Sequence, residues 1–152
     1  MTDEALTIAT DFIAKCEAFR ADPYQDVAGV WTIGYGFTFL EDGSPVTADT
    51  PAMAQEAAET RLQSLVAHIL SVVRGMVTVA LEPPALAALT SFAFNLGTGA
   101  LHGSTLLRLV NSGDMAGASQ QFANWCHAGG VVVNGLVQRR AREAAMFESC
   151  SA

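Results

Sequence analysis

The sequence predicts an α+β fold, with a small β-hairpin lobe, a larger all-helical lobe and a cleft between them. Three observations carry that reading. Apolar residues spaced by three and four open the chain. A glycine-punctuated run of alternating aromatic and β-branched residues follows. From residue 50 onward, helix-start signals alternate with glycine stops. The 152 residues (16.0 kDa) fit one domain, 1–152, with the β lobe at about 18–48 and helices over 1–17 and 50–150.

The first helix is written by Leu6, Ala9, Phe12, Ile13, Cys16 and Phe19 and is expected to end near Glu17, since Pro23 forbids continuation. In the next stretch Trp31, Ile33, Tyr35, Phe37 and Phe39 occupy every second position, broken by Gly29, Gly34 and Gly36. Period two argues for strand, and the glycines argue for turns or close backbone approach. Glu41-Asp42-Gly43-Ser44-Pro45 reads as a turn.

Thr50-Pro51 reads as an N-cap with proline at the first helical position, the helix running to about Arg74 with Gly75 as its cap. Glu82-Pro83-Pro84 opens a helix through Phe94 that closes near Gly97. Ser104 can cap a short helix, Thr105 to Asn111, stopped by Gly113. Asp114 can cap the next, through Trp125. Gly129-Gly130 breaks the chain, and Leu136 to Phe147 reads as the last helix.

Composition narrows the functional classes. The chain is 51% hydrophobic and only 15% charged, so long disorder is not expected. Mean hydropathy is +0.30, but 26 residues are alanine, which suits closely packed helices. No uncharged apolar run reaches the ~18 residues of a membrane span, so no membrane insertion is expected. The acidic start (Asp3, Glu4, Asp11) has the wrong charge for a signal peptide, which points to synthesis in the cytoplasm without one. The net charge of −7 is concentrated in residues 1–76, where four basic residues meet eleven carboxylates. With no basic stripe, nucleic-acid binding is disfavoured.

Cys16, Cys126 and Cys150 form no CxxC, and His68, His102 and His127 are scattered, so no metal site is expected. A disulfide from Cys16 to Cys126 or Cys150 stays open, should the terminal helices meet. Gly97-Thr-Gly99 has the wrong spacing and context for a dinucleotide fingerprint, and no cofactor is called for.

Three polar residues stand out around the hairpin. Glu17 sits at the end of an apolar helix, where desolvation favours a retained proton. Asp26 lies in the loop entering the strands, a polar turn where a carboxylate stays ionised. Thr32 lies inside the strand run. Two carboxyls in such contrasting settings are what glycoside hydrolysis requires. Taken alone, the same residues also read as an ordinary turn aspartate and a solvated helix-end glutamate.

The surrounding letters decide further. Glu17-Ala-Phe-Arg-Ala-Asp-Pro-Tyr-Gln-Asp26-Val-Ala-Gly-Val-Trp-Thr32-Ile-Gly-Tyr-Gly36 resembles the catalytic segment of phage-type lysozymes, the endolysin muramidases of glycoside hydrolase family 24. The family's Glu-x8-Asp-x5-Thr spacing and its Thr-Ile-Gly-Tyr-Gly phrase are both met. The resemblance continues through Ser91–Gly99, Ser104–Arg108, Asn111–Asp114, Trp125, Gly129-Gly130 and Gly135–Glu143, and so covers nearly the whole chain.

The resemblance implies a lysozyme-like fold and peptidoglycan glycan strands as substrate, cut at the β-1,4 bond between N-acetylmuramic acid and N-acetylglucosamine. It implies Glu17 as general acid, Asp26 as the group that stabilises positive charge and positions water, and Thr32 as the holder of that water. Inversion, as the family is held to perform, calls for carboxyls about 6.5–9.5 Å apart. Phe94 and Ser104 match family positions lining the sugar cleft, and Tyr24 is a further candidate for the cleft wall. A monomer acting at the cell wall after release, with a pore-forming helper for export, completes the expectation. Rival readings are a wall-binding protein with weak turnover and a lytic transglycosylase.

Departures are also legible. Phe37 stands where the family usually writes His, which puts lobe stability and cleft polarity in question. The segment before Glu17 lacks the membrane-inserting anchor of some exported relatives. The acidic charge opposes capture of an anionic polymer, so a marked salt dependence is expected.

Overall fold

The structure, a computed structural model, describes residues 2–149. Its contacts group the chain into two compact units, Thr10–Leu65 and the pairing of residues up to Ala9 with those from Val66 onward. The α+β class holds. Helix α1 (Glu4–Glu17) ends where the sequence puts it, with Ala9 and Ile13 fully buried. Ala18 then takes φ +56°, a left-handed conformation costly for a residue with a Cβ, and turns the chain into the hairpin.

In the Thr10–Leu65 unit, β1 (Arg20–Gln25) pairs antiparallel with β2 (Trp31–Gly34). Tyr24 faces Thr32 and Gln25 faces Trp31, and the register slips between Arg20 and Tyr24. That interval holds Pro23, which has no N–H to give to a ladder. The period-two run is not one long strand. Gly34 (φ +66°) and Gly36 (φ +81°) reverse the chain after β2, and Ile33 and Phe37 exchange two backbone hydrogen bonds of 2.9 Å each. Alternation arises because Ile33, Tyr35 and Phe37 all turn inward around this reversal; all three are buried. The turn at residues 41–45 is present, closed by the Phe39–Pro45 bridge.

Helix α2 (Gln55–Met76) starts later than Thr50-Pro51 suggests. The Thr50 hydroxyl accepts from the Thr47 N–H (2.9 Å), closing a local turn, and the Met53 N–H donates to the Ala21 carbonyl (2.8 Å). The capping bond that Thr50 would make, accepting from the Met53 N–H, is therefore not formed: its oxygen and that donor are both used elsewhere. At its other end α2 runs through Gly75. Asn111 supplies the cap in its place, donating to the Met76 carbonyl (3.0 Å) and accepting from the Thr78 N–H (2.9 Å).

The other unit is built on α3 (Pro83–Leu96), buried over Ala87–Ala93. Gly97 (φ +99°) ends it. A short helix the sequence reading missed, α4 (Thr98–His102), follows, and accounts for the glycines around Thr98. Helices α5 (Thr105–Asn111) and α6 (Met115–Gln121) begin at the expected caps. The Ser104 hydroxyl accepts from the Leu107 N–H (3.0 Å), and the Asp114 carboxylate accepts from the Gly117 N–H (2.9 Å). Helix α6 gives way to a 3₁₀ turn at Phe122–Asn124 before Trp125. Gly129 (φ +58°) and Gly130 (φ +79°) do more than break the chain. Two consecutive left-handed residues make the tight turn of a second hairpin, β3 (His127–Ala128) with β4 (Val131–Val132). Helix α7 (Asn134–Glu148) closes the fold against α3. Phe92, Phe122, Trp125 and Phe147 form its aromatic centre, with ring centroids 5.2–5.9 Å apart in successive pairs.

Candidate active site

Glu17, Tyr24, Asp26 and Thr32 all fall within the Thr10–Leu65 unit, on or beside the first hairpin. Glu17 is the last residue of α1 and half-buried. Its carboxyl lies over the backbone of Gly36. A Cβ at position 36 would stand 2.9 Å from Glu17 Oε2 and 3.6 Å from its Cδ. The register explains the meeting: Arg20 pairs with Gly34, so the chain leaving β2 returns beside the end of α1.

Asp26 occupies the hairpin turn. Its Oδ1 accepts from the Ala28 and Val30 N–H groups, both at 2.9 Å, while its own N–H donates to the Val30 carbonyl (2.9 Å). The carboxylate is therefore fixed by the turn that it organises. No described residue donates to Oδ2, and the side chain is exposed. Thr32, on β2, is buried, with 3% of its surface accessible, and its hydroxyl donates to the Val30 carbonyl (3.0 Å). With the proton committed there, the oxygen retains lone pairs able to accept from a water. Tyr24 is half-buried beneath the Arg20 guanidinium, 4.1 Å from the ring centroid.

Phe37 is buried rather than polar in its contacts. The Arg61 guanidinium lies 4.3 Å from its ring centroid and Tyr35 meets it edge-on at 6.4 Å. Arg61 also donates to the Phe39 carbonyl (2.5 Å). Position 37 is thus an aromatic ring with a cation on its face.

Phe94 and Ser104 belong to the other unit. Phe94 is half-buried on α3. Ser104 is buried, and its hydroxyl is used at both ends, accepting from Leu107 N–H and donating to the Leu101 carbonyl (2.7 Å). The same unit holds a buried polar cluster. Glu143 Oε2 accepts from Ser91 Oγ at 2.5 Å, and Arg140 Nε lies 2.7 Å from Glu143 Oε1, an ion-pair distance without hydrogen-bond alignment. Arg140 also donates to Asn95 (2.7 Å). Burial pushes the Glu143 carboxyl above the usual range, against the pull of Arg140, Ser91 and Arg139.

Among the described residues no group of three or more His, Cys, Asp or Glu is placed to hold a metal ion, and no helix is long and apolar enough to cross a membrane. Cys126 is a free thiol with its sulfur 3.7 Å from His127 Nδ1, and Cys150 lies outside the described residues. The sequence reading placed Gly36 in the resembling segment but did not foresee its contact with Glu17, nor Arg20 and Arg61 on the Tyr24 and Phe37 rings. The signal at Gly36 was the glycine punctuation, taken to mean a turn or close approach without saying to what.

A carboxyl at a helix end over a small hairpin, with a helical body built on one buried helix, defines a lysozyme-type fold. Known proteins agree. The Phage lysozyme family description matches residues 14–143, and the chain belongs to that family. It is 37% identical over 145 residues to an endolysin of Acyrthosiphon pisum secondary endosymbiont phage 1, covering 90% of this chain and 92% of the relative. It is 35% identical to an endolysin of Bacillus phage B103 over 88% of this chain, and there spans 48% of the relative's length. A solved endolysin from Escherichia coli O157:H7 phage FAHEc1 superposes with a TM-score of 0.84 at 28% identity, covering 98% of this chain and 93% of that one. The chain is thus a glycoside hydrolase of the lysozyme, or muramidase, class, and its family hydrolyses peptidoglycan.

Proposed function

We propose that the chain hydrolyses the β-1,4 bond between N-acetylmuramic acid and N-acetylglucosamine, with Glu17, Asp26 and Thr32 as its catalytic residues. Glu17 donates its proton to the glycosidic oxygen as the bond to C1 breaks. Asp26 stabilises the positive charge on the sugar through its uncommitted Oδ2. Thr32 accepts a hydrogen bond from the water that attacks C1, and the proton this water releases passes to Asp26. The observation that carries the reading is the hairpin itself: one turn fixes Asp26, and the same hairpin carries Thr32 and receives the Glu17 carboxyl at its open end. Tyr24 and Phe94 are proposed as sugar contacts. Ser104, with its hydroxyl held in a cap, contributes to binding through the shape of the α5 start. The enzyme acts at the cell wall as a monomer, reaching it with the aid of a pore-forming helper.

Mass spectrometry of muropeptides released from purified walls tests this bond and this chemistry. Reducing N-acetylmuramic ends are expected. Anhydro-muramic ends would make the chain a transglycosylase, and binding without release would make it a wall-binding protein.

A further inference from the structure

We propose that Gly36 is a positioning residue for the acid: its missing side chain is the space in which the Glu17 carboxyl is held. The inference rests on the reading of Glu17 as general acid. Gly34 and Gly36 both have positive φ in the same reversal, so backbone conformation alone gives each a reason to be glycine. Their surroundings differ. A Cβ at position 34 would strike the Phe37 ring at 2.8 Å, a matter of packing. Among the described residues, a Cβ at position 36 would meet only Glu17, 2.9 Å from Oε2.

That neighbour is the far end of a flexible side chain, so an added methyl would push the carboxyl aside at small cost to packing. A general acid displaced by about 1 Å loses ~100-fold in rate while the substrate still binds, because proton transfer depends on hydrogen-bond reach. Beyond the backbone strain that any positive-φ position carries, the constraint at position 36 therefore falls on the acid.

The test is a double-mutant cycle between Gly36→Ala and Glu17→Asp, with Gly43→Ala as the control for strain. Gly43 also has positive φ (+86°), but no atom of the described residues lies within 4 Å of a Cβ there. Gly36→Ala is expected to lower kcat on soluble glycan oligomers ~100-fold with KM changed less than twofold. In the Glu17→Asp background the same substitution is expected to cost no more than about threefold, since the shorter acid withdraws from position 36. Gly43→Ala is expected to lower thermal stability and leave kcat within about twofold of wild type. Equal losses in the wild-type and Glu17→Asp backgrounds, or a wild-type kcat for Gly36→Ala, would overturn the proposal. Should Gly36→Ala fail to fold, the proposal requires Glu17→Ala to restore its folding; a double variant that stays unfolded refutes it equally. Full activity in Glu17→Gln would refute the role of Glu17 itself, a result separable from all of these.

Discussion

Charge placement differs sharply between single residues of this molecule. Arg140 and Glu143 are both fully buried, where removing either partner would strand the other. Asp3 and Arg74 form the opposite case, a bidentate pair at 2.6 and 3.0 Å with side chains 35% and 46% exposed. The Arg74 hydrogen bonds hold the Asp3 carboxyl below its ordinary value of 3.8. A carboxyl lowered in the folded state stabilises above the unfolded value, and that contribution is lost as pH falls through the folded one. Asp3→Asn should therefore lower unfolding free energy by about 0.2–1 kcal/mol at pH 7, and the gap to wild type should close in acid below pH 3.8. Urea unfolding of both proteins at several pH values checks this; a gap that widens towards low pH would contradict it. Arg139, Arg140 and Glu143 meet through their i,i+4 and i,i+3 spacing on one helix, whereas Ser91, 52 positions from Glu143, becomes a partner only through the packing of α3 on α7. Glu17, Asp26 and Thr32, the proposed catalytic residues, were picked out in the sequence by their resemblance to the phage-type lysozyme segment, since residue type and position alone also allow an ordinary turn and a solvated helix end. The contact of Glu17 with Gly36 was not legible, because it depends on the strand register.

Among the elements, local signals were read well where the local chain satisfies itself. Ser104 and Asp114 cap the helices they precede because their oxygens reach an N–H three residues on. Thr50 has the same chemistry, but its oxygen accepts from the Thr47 N–H behind it and the Met53 N–H three residues on donates to Ala21, so no cap forms and the helix begins only at Gln55. Gly75 likewise yields its capping role to the side chain of Asn111. Alternation in Trp31–Phe39 suggested one strand because Ile33, Tyr35 and Phe37, all buried around a glycine reversal, carry the same period as a strand, while Phe39 beyond them is exposed. Ser104→Ala should separate a capping role from a sugar contact. Loss of the cap is expected to cost about 1 kcal/mol of stability. KM on glycan oligomers should stay within twofold of wild type; a larger rise with unchanged stability would place the hydroxyl on the substrate.

For the molecule as a whole, the sequence indicated one small sheet followed by helices, and both units follow it, with a second hairpin at Gly129-Gly130 added late in the chain. Acidic charge concentrates in the unit that carries the proposed acid and water station, so the hairpin works in a negative field that disfavours an anionic polymer. Catalysis then depends on a few fixed groups more than on long-range attraction. The most direct measurement is the rate at which Glu17→Gln clears purified cell walls, taken together with its thermal unfolding. The amide keeps the shape of the side chain and cannot give up a proton, so an unchanged melting temperature with at least a 1,000-fold loss of rate, on the order of 4 kcal/mol, is expected. A folded Glu17→Gln protein that clears walls at the wild-type rate would contradict the account.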